Sequence, residues 1–253
     1  MRHESYTKET AWSQPGAWND MKVVTWNCNG ALRVKHPAID LVGADLLVIQ
    51  ECEDPSRSTS AYRHWAGNYL WTGTNKNKGL GVFLRMDLEL KQLDWNSNEL
   101  QFFLPCSVGD EFNLVAVWTK QANSPNFRYI GQLWKYLQLY KERLASERTL
   151  ISGDLNSNKC WDEWDRWWNH TDVVRELAEI GCKSIYHDHF SEEQGEESRA
   201  TLYHQRNPLK RYHVDYAFSN MDHVRGSVDV GAMEYWLKYS DHMPLSFNLR
   251  HRD

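Results

Sequence analysis

The chain has 253 residues, 41% of them hydrophobic, and a formal net charge of −5. That length supports one substantial core and predicts a single domain, while the acidic balance excludes a protein that coats nucleic acid or anionic membrane through bulk charge. Any phosphate binding is therefore expected to be local or metal-assisted.

No run of about 18 apolar residues occurs, and the N-terminal segment lacks the basic and apolar regions of a secretory signal, so a soluble cytoplasmic protein without membrane partners is expected. The cysteines Cys28, Cys52, Cys106, Cys160 and Cys182 never form a C-x-x-C pair. Reduced thiols are expected, with neither a disulfide framework nor a zinc knuckle.

In chain order, residues 1–20 are polar, lack periodicity and contain Pro15 and Gly16, which reads as a surface extension preceding a domain over 21–253. Strand-like "KVVTWN", helical "PAIDLVG" and strand-like "DLLVIQ" follow. A polar turn region separates these from three further strands, "LGVFL", "LQFFLP" and "FNLVAVW". Residues 127–144 place Phe127, Ile130, Leu133, Trp134, Leu137, Tyr140 and Leu144 at three- and four-residue steps, the stripe of a helix lying on a sheet. "TLIS" is the next strand.

Trp161, Trp164, Trp167 and Trp168 then recur at helix-like spacing, which predicts a packed helix face in preference to a base-stacking platform. Thr171 is placed to cap a helix over "DVVRELAEI" that ends at Gly181. After the hydrophilic loop "EEQGEES", the strands "ATLYH", "YHVDYAF", "VRGSVDV" and "MPLSFNL" complete the chain. Apolar strands with one-sided helices predict an α+β fold in four layers, two mostly antiparallel sheets packed face to face with helices outside.

Buried strands ordinarily finish in turn residues, yet here several finish in carboxylates, amides or histidine. In extended chain, residues i and i+2 share a side. "VVTWNCNG" thus presents Asn27 and Asn29 together and sends Cys28 to the core, while "LISGDLN" presents Asp154 and Asn156. "LLVIQE" delivers Glu51, "RYHVDYAF" delivers His213 and Asp215, and "YSDHMPLSF" delivers Asp241 and His242. Taken singly, each is explained as a residue closing a strand. Together they form the inventory that Mg²⁺-assisted attack on phosphorus requires.

The ordered set "TWNCNG", "IQE", "GLGV", "GDLN", "HVDYAF" and "SDHMPL" resembles the endonuclease/exonuclease/phosphatase superfamily, the deoxyribonuclease I-like fold, over about residues 22–249. The resemblance implies that Glu51 binds a Mg²⁺ ion, with Mn²⁺ as a substitute, supported by Asn29 and Asp241, and that Asn27 holds the site's amide and carboxylate groups in position. Asp154 would orient and deprotonate the attacking water. Asn156 and His242 would stabilise charge on the phosphoryl oxygens, with Asp215 fixing the tautomer of His242. Two positions depart from the family pattern. Many relatives carry Asp where Asn29 stands, and they place His or Tyr where Trp118 stands, a position that commonly donates to the phosphate. Activity would then be reduced, or another residue such as His204 or His213 would fill in.

Outside that set, "YHDHF" places His187 and His189 on one side of an extended chain, which suggests a second metal site, although a loop suffices to explain them. "HQRNPLKRYH" supplies Arg206, Lys210 and Arg211 beside the strand bearing Asp215, and Lys76 and Lys78 flank the opposite wall as further phosphate contacts. The expected function is a Mg²⁺-dependent phosphodiesterase of nucleic acid, DNA ahead of RNA, with no obligate protein partner. The alternatives are a phosphomonoesterase of small molecules such as inositol phosphates, and a nucleic-acid-binding module with weakened catalysis.

Overall fold

Strands of this chain bury both faces, and the alternation of their side chains sorts into three apolar layers. Val23, Val48, Val82, Leu104, Leu114, Ala116, Leu150, Ala217, Leu245 and Phe247 meet between two sheets. Their chain neighbours Val24, Leu47, Ile49 and Phe83 point the other way, onto Leu32, Ile39, Tyr62 and Trp236. Val115, Val117, Ile151 and Phe218 likewise face outward onto Leu133, Leu137, Leu144, Val173 and Leu177. Period-two alternation with both faces apolar requires cover on each side, which makes the observed four-layer α+β sandwich.

The computed structural model describes residues 20–95, 99–121, 124 and 126–250, so the expected extension over 1–20 lies, apart from Asp20, outside the described residues. In chain order the first half contains β1 (Met21–Asn27), α1 (Leu32–Asp40), β2 (Leu46–Cys52), α2 (Ser60–Ala66), β3 (Asn68–Asn75), β4 (Lys78–Leu84), β5 (Leu90–Gln92), β6 (Phe103–Val108) and β7 (Phe112–Trp118). There follow α3 (Ile130–Ser146), β8 (Thr149–Asp154), α4 (His170–Glu179), β9 (Lys183–Ser184), α5 (Ile185–Phe190), β10 (Leu202–Tyr203) and β11 (Arg211–Tyr212). The last elements are β12 (Asp215–Ser219), β13 (Asp229–Val230), α6 (Met233–Trp236) and β14 (Leu245–Leu249).

One six-stranded sheet has the order β13-β14-β1-β2-β4-β3 and the other β5-β6-β7-β8-β12-β9. β1 pairs with β2, and β7 with β8, in parallel; the other pairings within these sheets are antiparallel. No described helix is long and apolar enough to cross a membrane.

Several local expectations are corrected. α1 starts at Leu32 and carries Pro37 inside it, a residue with no N–H to donate to the preceding turn. The stretch read as a polar turn region forms α2 and β3; β3 lies at the sheet's edge with its side chains only partly buried, which weakens the hydrophobic signal. Asn169, not Thr171, caps α4, in a capping box with Asp172. The tryptophan-rich segment is no helix face: Trp164 is 97% exposed and Trp167 62% exposed, with only a short 3-10 turn at Lys159–Trp161. "YHDHF" is α5, not extended chain or loop.

Candidate active site

β8 comes to its last residue at Asp154, where Gly153 makes the approach possible. Gly153 has φ +153°, and a Cβ there would sit 1.8 Å from the Val117 carbonyl oxygen of the parallel neighbour β7. Only glycine lets the two strands run this close at the point where Asp154 turns inward. Asp215, the first residue of β12, is paired directly opposite Asp154.

Asp154 is fully buried. Its carboxylate accepts the Asn27 amide at 2.9 Å, the Asn156 amide at 2.9 Å and the Asn156 backbone N–H at 2.8 Å. Asn27 belongs to the opposite sheet, so this hydrogen bond joins the ends of the two sheets at the site. Beside it, His242 Nδ1 lies 2.9 Å from Asp215 Oδ2. The backbone fixes that histidine: its N–H donates to Ser240 Oγ at 3.0 Å, and its carbonyl accepts the Trp26 indole at 2.9 Å. Ser240 Oγ in turn donates to the Asn27 carbonyl at 2.7 Å.

Asp154, Asp215 and His242 each offer a ligand-type atom, and these atoms all lie within 4.8 Å of one another. Burial raises the Asp154 carboxyl to about 7, with nearby His242 opposing and Asp215 reinforcing the shift. Burial pushes His242 down, but the Asp215 and Asp154 carboxylates and the hydrogen bond to Asp215 outweigh it and lift the imidazole to about 10. Protonated, His242 donates through Nδ1 to Asp215 and has Nε2–H left to offer, with no protein acceptor among the described residues. The second Asp215 oxygen is buried without a partner among the described residues.

A more exposed rim surrounds this core. Glu51 sits at an irregularity in the β2–β4 register with φ +62°, a bulge that turns its carboxylate out of the pleat. It pairs there with the Lys78 ammonium. Asn29 has φ +51° and donates to Asp241 Oδ1 at 3.0 Å. Asn156 also has positive φ, +43°. The expected i, i+2 pairings of Asn27 with Asn29 and of Asp154 with Asn156 are therefore made by turns after the strands end, not by the pleat.

Sequence reasoning missed Lys35 on α1, whose ammonium donates to the carbonyls of Cys28 and Asn29 at 2.7 and 3.2 Å, and missed the positioning role of Ser240. Neither carries a local pattern; both reach the site only through tertiary packing. Arg206, Lys210 and Arg211 are exposed on and beside the β10–β11 hairpin. That hairpin is tied to the site because Tyr203 N–H donates to the Asp241 carbonyl at 2.8 Å and Leu202 bridges to His242.

Trp118 is buried, with its ring 4.8 Å from that of Phe102 and the Lys120 ammonium 4.3 Å from it. His204 is exposed on the basic hairpin. His213 is not a replacement donor: it is buried among Tyr186, His187 and Tyr216, with Nδ1 2.9 Å from the Arg199 carbonyl and Nε2 unpartnered among the described residues. His187 and His189 do not converge either, since two residues along a helix point apart. His187 Nε2 lies 3.1 Å from Glu197, and the His189 ring is 5.8 Å from that of His223.

Burial lowers His213 to about 4, against the opposing Arg199 carbonyl and Glu197. Unfolded, the same ring takes a proton at about pH 6.5, so this contribution to stability is complete above that pH and is lost as pH falls toward the folded value. Burial lowers His170 in the same direction. Unfolding in urea is expected to cost about 2 kcal/mol less at pH 5 than at pH 7.5 through His213 alone. His213→Gln should show a smaller drop between those pH values; an equal drop would place the titration elsewhere.

A model of the endonuclease/exonuclease/phosphatase family matches residues 24–242. No curated protein matches the chain by sequence. Among solved structures, a 3'-5' exonuclease from Neisseria meningitidis is 17% identical, with TM-score 0.65, covering 91% of this chain and 100% of that one. An AP endonuclease from Archaeoglobus fulgidus is 16% identical, with TM-score 0.65 and coverage of 90% and 98%. A Neisseria 3' phosphatase bound to a product DNA hairpin is also 16% identical, with TM-score 0.64 and coverage of 90% and 99%. At these identities, the structural likeness establishes the fold.

Proposed function

Since the chain belongs to the endonuclease/exonuclease/phosphatase family of phosphoesterases, we propose that it is a metal-dependent phosphodiesterase of nucleic acid, DNA ahead of RNA, that attacks phosphorus with water. The observation that carries this reading is the meeting of Asp154, Asp215 and His242 in one buried group tied by Asn27 and Asn156. Nuclease activity and a DNA product in the names of structural neighbours support nucleic acid as the substrate.

Within this reading Asp154 accepts the proton of the attacking water. A carboxyl raised to about 7 is matched to that work near neutral pH. Asn27 and Asn156 hold the carboxylate in one orientation. His242, kept protonated by the paired Asp215, presents Nε2–H to a phosphoryl oxygen as negative charge grows there.

Within the same reading the rim residues Glu51, Asn29 and Asp241 would hold a hard divalent cation. Glu51, Asn29 and Asp241 bring oxygen donors to partly exposed positions, and the Glu51 carboxylate already faces a cationic group, the Lys78 ammonium. Mg²⁺, with Mn²⁺ as a substitute, would neutralise charge on the phosphate when bound. Arg206, Lys210 and Arg211 then flank the site as contacts for neighbouring phosphates, and Lys78 changes partner from Glu51 to phosphate.

Asp215→Asn removes the anion that keeps His242 protonated while leaving the shape almost unchanged. We expect cleavage to fall about 10- to 100-fold, with the optimum moving to lower pH as the imidazole titrates earlier. An unchanged pH profile would show that Asp215 does not act through His242.

The reading as a whole is tested on labelled single- and double-stranded DNA and RNA, an abasic duplex, a 3'-phosphate-ended oligonucleotide and inositol phosphates, each with Mg²⁺, Mn²⁺ or EDTA. Shortened DNA in Mg²⁺ and none in EDTA is expected. Hydrolysis of inositol phosphates with every oligonucleotide intact would overturn it.

A further inference from the structure

The segment joining β8 to α4 puts large aromatic side chains into water after Asp154. Trp161 is 45% exposed, Trp167 62% and Trp164 97%. Burial of such rings is worth several times that of a small apolar residue, so an exposed ring that lines a cavity, as Trp161 does, is suited to a planar, apolar partner.

A cavity of about 420 Å³ lies beside Trp161, lined among others by Asn156, Trp168, Arg128, Arg166 and Tyr129. That volume is in the range of sites that take a small organic group. Asn156 belongs both to this cavity and to the catalytic group, because its amide holds Asp154. The cavity therefore begins one side chain away from the proposed base. Its far wall reaches the cationic hairpin, with the Trp161 ring 4.8 Å from that of Tyr212, next to Arg211. Among the described residues no carboxylate pairs with the Arg128 guanidinium, while Arg166 shares an exposed ion pair with Glu163 at 3.2 Å.

The lining combines flat aromatic faces, which stack on any base, with guanidinium groups, which serve the adjoining phosphate and the base face alike. We propose that this cavity is a nucleobase subsite, in which Trp161 stacks on the base of a nucleotide flanking the scissile phosphate and Arg128 contacts that nucleotide's phosphate. A base seated there has left its helical stack. The preferred substrate class is then single-stranded nucleic acid or a frayed end. This inference rests on the nucleic-acid reading of the active site.

The test uses a short single-stranded DNA with one cleavable phosphodiester, and matched oligonucleotides carrying a base-less tetrahydrofuran residue on its 5' or 3' side. Removing the base on one side should lower kcat/KM of the wild type about 10-fold. Trp161→Ala should show the same loss on the intact DNA and no further loss on the base-less one, with Trp161→Phe largely restored.

Equal cleavage of intact and base-less DNA by the wild type, or wild-type cleavage of intact DNA by Trp161→Ala, would overturn the subsite while leaving the nuclease reading standing. Affinity of the same oligonucleotides for Asp154→Asn, measured by fluorescence anisotropy with and without Trp161→Ala, decides the subsite even if the wild type cleaves no nucleic acid. Base-dependent binding that Trp161→Ala abolishes upholds it, and base-independent binding overturns it.

Discussion

Asp154→Asn is expected to lower single-turnover cleavage by about 100- to 10,000-fold, the range that general-base catalysis contributes, while substrate affinity stays close to that of the wild type. The amide keeps the size of the carboxylate but cannot take a proton from water. Burial, which sets the carboxyl at about 7, makes it a base poised near neutrality. Two of the groups that hold it, the Asn27 amide and the Asn156 amide, donate to one carboxylate oxygen, so the variant can keep its place only by offering them its carbonyl oxygen. The comparison of rate with binding separates lost chemistry from lost structure. Cleavage at the wild-type rate would remove Asp154 from the role of base.

Gly153→Ala is expected to destabilise the fold by more than about 4 kcal/mol, a loss met only where a buried backbone is forced to move. A Cβ at this position would lie 1.8 Å from the Val117 carbonyl oxygen and 2.7 Å from its carbon, in the middle of the parallel β7–β8 pairing. Neither strand is free to retreat. Val117 and Ile151 are packed under α3, and Ala116 and Leu150 are packed between the sheets. The melting temperature should fall by at least about 8 °C for a chain of this size. Gly226 provides the comparison: a Cβ there meets nothing within 4 Å, although φ is +81°, so Gly226→Ala should carry only the smaller backbone cost. A Gly153→Ala protein that melts with the wild type would show that β7 and β8 are further apart than the geometry requires.

These two effects concern adjacent residues of one motif, and the motif illustrates what a linear sequence discloses. An apolar run followed by "GDLN" announces a buried strand that ends in chemistry, as does the run that ends at Asn27, whereas Asp215, expected where a strand finishes, is the first residue of β12. Period-two alternation leaves that signal in the residues themselves. It fails one step further on, because Asn29, Glu51 and Asn156 take positive φ, and nothing in the pattern of a non-glycine residue declares a left-handed turn or a bulge.

Lys35 and Ser240 act from elements whose own sequences look ordinary, and their place depends on how the helix and the last loop dock onto β1. The tryptophans after β8 misled for the opposite reason. Helix-like spacing existed without a helix, and their exposure became apparent only in three dimensions. A local pattern reports the buried sheet faithfully and reports surfaces poorly, because a surface aromatic gains no partner whose position repeats along the chain.

The division of labour between the buried group and the rim is tested most directly by single-turnover cleavage of single-stranded DNA by Glu51→Gln and Asp154→Asn across Mg²⁺ and Mn²⁺ titrations. A weakened oxygen ligand is offset by mass action or by a metal of higher affinity, whereas a missing base is not. The expected result is that Glu51→Gln rises toward the wild-type rate as metal is raised, and sooner with Mn²⁺, while Asp154→Asn stays flat throughout. Rescue of Asp154→Asn to the same degree as Glu51→Gln, or a Glu51→Gln enzyme indifferent to metal, would contradict it.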